Sequence, residues 1–222
     1  MEIGPFDLRF AEFFHELYAL QDYIDSIESQ LPDLIIKEKK KAHEKLSKLN
    51  YEDDPFEYQA FEREAYELVE DVLPRYFRNP IIVTLWAIFE SGIIEIAKEV
   101  KDQRNLPISL KDINGDFLER TNKYFNHVIE IPIEIRGKSW QQIRTLYLLR
   151  NAIAHCNGRV ENIRNDSNRK KIEQLESKGI STINGNVMCS PDFINESHKI
   201  VLEFLTDLTE IVRSKYPNPK NW

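Results

Sequence analysis

The segment NPIIVTLWAIFESGIIEIAKEV, residues 79–100, is apolar on almost every face of a 3.6-residue helix. A helix of that kind belongs in the middle of a bundle, with other helices around it. Asn79-Pro80 reads as its start: a short polar side chain caps the exposed N–H groups, and proline in the first turn loses no hydrogen bond. Glu90 and Glu95 lie inside the run, and its uninterrupted apolar part reads as too short for a membrane span. No membrane is therefore expected as a partner. Gly92 would let a neighbouring helix approach closely.

Upstream, apolar residues recur at helical spacing from about Phe6 to Leu49, and Pro32 interrupts them. One kinked helix or two consecutive helices are expected there. The second half, KEKKKAHEKLSKL, is strongly polar and is expected to project into solvent. Asp54-Pro55 starts a further helix that should stop near Pro74. Downstream, a helix is expected over Ser109–His127, weakened by Gly115, and VIEIPIEI alternates like an extended segment limited by Pro132. Ser139 should cap WQQIRTLYLLRNAIAHC, which ends at Asn157-Gly158. Residues 166–177 suggest a short helix, Asn184-Gly185 centres a type I′ hairpin, and Ser190-Pro191 opens the last helix, through about Tyr216. The expected fold is all-α: a helical bundle with a small β-hairpin, about 180–189, before its last helix. The expected organisation is an acidic N-terminal helical region over 1–75 and a helical domain over 76–222.

The composition agrees. Seven glycines in 222 residues favour helices over turn-rich sheets, and 41% hydrophobic residues argue against disorder. Cys156 and Cys189 are the only cysteines, so no disulfide scaffold is expected. MEIGPFDLRF has neither the basic nor the apolar region of a secretory signal, and the chain reads as cytosolic. The net charge of −7 conceals a gradient. Residues 1–74 carry 8 Lys/Arg against 19 Asp/Glu, whereas residues 136–171 carry 9 against 2. So basic a stretch is a candidate phosphate-binding surface, the alternative being a solvated, charge-rich face.

That stretch contains LYLLRNAIAHCNGRV, residues 146–160, where Arg150 and Asn151 precede His155 near the end of a helix. Asn151 and His155 share a face, and the long side chain of Arg150 can swing to it. A fixed cation, an amide and a titratable imidazole suit RNA cleavage without a metal. The imidazole takes a proton from the 2′-hydroxyl or gives one to the leaving 5′-oxygen. The guanidinium holds the phosphate oxygens. One chain supplies only one histidine, so a dimer would supply both the acid and the base.

RNAIAHCNG resembles the R-x4–6-H signature of HEPN domains, and the central LWAIFESGIIEIA is similar to helices of HEPN-like proteins, a likeness spanning roughly residues 80–215. The resemblance implies a homodimeric helical bundle, metal-independent endoribonuclease activity with 2′,3′-cyclic phosphate and 5′-hydroxyl ends, and a toxin or phage-defence setting, with an antitoxin protein as a possible partner. It carries over to Arg150, Asn151 and His155 only. Around them, Arg144, Arg159 and Arg164 are candidates to steer RNA, and Glu90 and Tyr147 to line or orient the site. The alternatives are a non-catalytic HEPN module binding a nucleotide, RNA or a partner protein, and a purely structural helical adaptor.

No cofactor is expected. His15, His43, His127 and His198 lack partners at ligand spacing, so a zinc site is not expected. Cys156 adjoins His155 but cannot face it on a helix, which argues against a Cys–His nucleophile. Walker A and Rossmann motifs are lacking.

Overall fold

The computed structural model describes residues 8–48, 54–133 and 137–217. The helices run in the order α1 (Ala11–Leu46), α2 (Pro55–Glu67), α3 (Leu73–Arg104), α4 (Phe117–Tyr124), α5 (Gly137–Cys156), α6 (Asp166–Glu173) and α7 (Pro191–Lys215). Strands β1 (Ile180–Ile183) and β2 (Asn186–Cys189) stand between α6 and α7. The fold is thus all-α with a two-stranded antiparallel hairpin before the last helix. Ile180 pairs with Cys189 and Ile183 with Asn186. Asn184 and Gly185, at φ 49° and 76°, supply the two positive φ angles that a type I′ turn requires.

The chain divides into two compact units, each assembled from segments far apart in sequence. One comprises Met1–Leu20, Thr84–Tyr147 and Glu196–Trp222; the other comprises Gln21–Val83 and Leu148–Asn195.

In the first unit the core is built on Trp86. Its ring lies 5.3 Å from Phe89, 4.9 Å from Tyr147 and 5.7 Å, edge-on, from Phe117. Phe204 of α7 stacks on Trp140 and meets Phe89 edge-on. Gly92 fills a tight place: a Cβ there would lie 3.2 Å from Leu205 and 3.3 Å from the Phe13 ring. His198 is buried, with Nε2 2.8 Å from the Leu17 carbonyl oxygen.

Several helix boundaries differ from those expected. Of the two alternatives at Pro32 the single helix is found, with the proline inside α1. The helix begun by Asp54, whose carboxylate accepts from the N–H groups of Phe56 and Glu57, does not stop at Pro74. It passes through a π-turn over Leu68–Val72, where the Leu73 N–H reaches back to Leu68, and continues as α3. Placing Pro74 directly after a stretch of wider hydrogen bonding lets the helix tolerate its missing N–H. Asn79-Pro80 is not a start either. Both lie inside α3, and Asn79 is buried and donates to the Val187 carbonyl instead of capping.

The run expected as one helix over Ser109–His127 is broken. A 3-10 turn spans Leu110–Asp112, Gly115 sits at φ 129°, and Asp116 caps α4 afresh by accepting from Glu119. A second π-turn covers Phe125–Ile129 and ends at Glu130, φ 59°. The segment VIEIPIEI thus begins as helix, and no strand forms among its described residues. Ser139 lies inside α5, which already begins at Gly137. Phe6, Leu49, Glu134, Ile135 and Arg136 fall outside the described residues.

The apolar part of Pro55–Arg104 is, contrary to expectation, long enough to cross a membrane by length and composition. More than half of its most apolar window is buried inside the protein, as in a core helix.

Candidate active site

Helix α5 ends in the second unit, and its last two turns carry the side chains singled out above. After Cys156, Asn157 and Gly158 adopt φ 50° and 75°, and the Gly158 N–H closes back on the Ala152 carbonyl at 3.0 Å. Two consecutive left-handed residues stop the helix abruptly. Arg150, Asn151 and His155 are thereby held at an end rather than in the middle of a helix.

The three come together. Arg150 Nη1 donates to Asn151 Oδ1 at 2.9 Å and lies 3.5 Å from His155 Nε2, the outer edge of a hydrogen bond. In that contact the guanidinium can only donate, so a hydrogen bond there uses Nε2 as its acceptor. Arg150 Nε is buried and bonds to no described residue. Among the described residues the contacts of the guanidinium all use Nη1. Arg150 and Asn151 are half-buried and His155 is exposed, so the imidazole is open to a macromolecule.

Arg144, Arg159 and Arg164 are exposed. Among the described residues none of them forms an ion pair. Arg159 also pairs through its backbone with Asn186 of the hairpin. Glu90 and Tyr147 share a neighbour in the first unit: Glu90 accepts from Trp86 Nε1 at 2.9 Å, and the Tyr147 ring packs on the same indole. Both thus serve the aromatic core of that unit. Cys156 Sγ donates to the Asn162 carbonyl at 3.4 Å. Among the described residues no three His, Cys, Asp or Glu side chains are grouped to hold a metal ion.

One set of residues supporting the site was not foreseen. Asp71, Arg75 and Asn79 are all buried, at successive four-residue intervals along one helix face. Asp71 and Arg75 form an ion pair at 3.4 Å. Arg75 Nη1 reaches the carbonyl oxygen of Asn157 at 3.4 Å, and Asn79 Nδ2 donates to Val187 O at 3.1 Å beside Gly158. The ladder ties the turn after α5 and the hairpin to one helix. Its signal was available in DVLPRYFRN, where polar residues recur every fourth position among apolar ones.

Comparison with protein families, curated proteins and solved structures finds no match for this chain.

Proposed function

We propose that this chain is an HEPN-like endoribonuclease that works as a homodimer and needs no metal. Support comes from the last two turns of α5, where a guanidinium nitrogen stands 3.5 Å from a nitrogen of an exposed imidazole. In this reading His155 Nε2 takes the proton of a ribose 2′-hydroxyl. The 2′-oxygen then attacks the adjacent phosphorus, and the bond to the 5′-oxygen breaks as that oxygen receives a proton from the partner subunit's His155. Products are a 2′,3′-cyclic phosphate and a 5′-hydroxyl. Arg150 offsets the charge that builds on the phosphorane, and Asn151 holds the guanidinium in place through its 2.9 Å bond.

Arg144, Arg159 and Arg164 attract the RNA backbone as exposed cations. A cytoplasmic toxin or phage-defence role fits this chemistry, and a protein covering the exposed His155 would serve as its antitoxin.

The test is RNA cleavage in EDTA by the wild type and by His155→Ala and Arg150→Ala. Cleavage that leaves cyclic-phosphate ends and is lost in both variants is the expected result. Full-rate cleavage by either variant overturns the assignment of roles. A folded dimer that cleaves none of a varied set of RNAs moves the protein to the non-catalytic module that binds RNA, a nucleotide or a partner protein.

A further inference from the structure

In the second unit the C-terminal half of α1 lies antiparallel to α2: Lys45 stands over the Phe61 ring, and Lys39 pairs with Glu70 at 2.8 Å. The pair is poorly covered. No residue of α2 is buried, although the helix carries several aromatic side chains. Phe56 is 86% exposed, Tyr66 69%, and Ile36 on the facing helix 64%. Between the two helices runs a groove of about 300 Å³ with Ala42, Phe61 and Ala65 in its walls. Lys41 stands on its α1 side, and Glu64 and Glu67 on its α2 side.

Charge is segregated along the two helices. Residues 37–48 hold six lysines against two glutamates, whereas residues 57–71 hold five glutamates and an aspartate against one arginine. A surface bearing a positive strip beside a negative one is complementary to itself turned by a two-fold axis. A partner of a single sign would be repelled by one of the strips.

We propose that the α1–α2 pair is the surface on which a second copy of this chain docks. The lysine strip of each copy faces the glutamate strip of the other, and Phe56, Tyr66 and Ile36 are covered. The choice of occupant rests in part on the nuclease reading, in which one imidazole per chain leaves the site incomplete. The groove extends to Val72, next to Asp71, and the Asp71–Arg75 pair reaches Asn157 at the end of α5. A copy docked there lies against the helix that supports the active-site turn.

The experiment is sedimentation equilibrium of the full chain over a range of concentrations, with circular dichroism as the folding control. Wild type is expected to be a dimer. K37E/K41E/K45E and E62K/E64K/E67K are each expected to be monomeric, and an equimolar mixture of the two to form a dimer again, because the reversed strips match. Reversing three charges can loosen the helix pair itself, so Phe56→Ser provides a second probe. Its side chain is almost fully exposed, and its loss should weaken association about tenfold or more without changing the spectrum. A wild type that is monomeric throughout, or a dimer that none of these changes weakens, overturns the inference. The outcome is separable from catalysis: a dimer weakened by these variants but inactive on RNA keeps this surface and removes the nuclease reading, and an RNA-cleaving dimer that none of these changes weakens does the reverse.

Discussion

Asn79 Nδ2 lies 3.3 Å from where a Cβ on Gly158 would be, so a residue of α3 limits what can follow the last turn of α5. Gly158 also holds φ 75°, a conformation that side chains adopt only under strain. Gly158→Ala is expected to cost about 1–3 kcal/mol in urea unfolding. In an Asn79→Ala background the added cost should be smaller, since only the backbone strain remains. Equal costs in both backgrounds would show that the Asn79 contact is unimportant.

The Asp71–Arg75 pair is buried at both ends. Removing one partner leaves a charge without compensation, so Asp71→Ala should destabilise by about 3–5 kcal/mol. Replacing both, as in Asp71→Ala with Arg75→Met, should recover a large part of that loss. Chemical denaturation of the two variants in parallel measures the coupling.

Burial raises the Glu95 carboxyl above its ordinary value of 4.5, and the carboxylates of Glu12, Glu99 and Glu16 add to the effect. The folded protein therefore binds this proton more readily than the unfolded chain. Stability should rise as pH falls through the raised value, with the gain complete below 4.5. Glu95→Gln is expected to raise Tm at pH 7 and to flatten that part of the pH profile. An unchanged Tm and profile would rule out the carboxylate as its source.

Burial pushes the Cys189 thiol up to about 12, whereas Cys156 is partly exposed. Titration with a thiol reagent at neutral pH should modify Cys156 in the native protein and Cys189 only after unfolding. Cys156→Ser should abolish the native reaction.

How far these features were legible in the sequence depends on how far apart the interacting residues lie. Arg150, Asn151 and His155 share one helix end, so their spacing alone implied their meeting. Asn184-Gly185 likewise fixed the hairpin, because the turn's positive φ angles are a local demand. Asn79 shows the opposite case. Its position before Pro80 is a sound cap signal, but the side chain found a carbonyl more than a hundred residues away, and the helix ran on. Pro74 was misread because a local rule for α-helices does not allow for a preceding π-turn. Glu90 and Tyr147 were singled out as candidates to orient or line the site, and their shared contact with Trp86 went unread because it joins residues about sixty positions apart in the case of Tyr147.

The π-turn over Leu68–Val72 has a consequence for phase. One residue beyond the α-helical count rotates everything before it by about 100° around the axis relative to everything after it. That offset lets Phe61 and Ala65 look toward α1 while Asp71, Arg75 and Asn79 look toward the turn that ends α5. A chain one residue shorter between positions 68 and 72 would restore the regular count and swing one of these two stripes off its target. The apparent irregularity works as a gear, setting two faces of one continuous rod to two different neighbours.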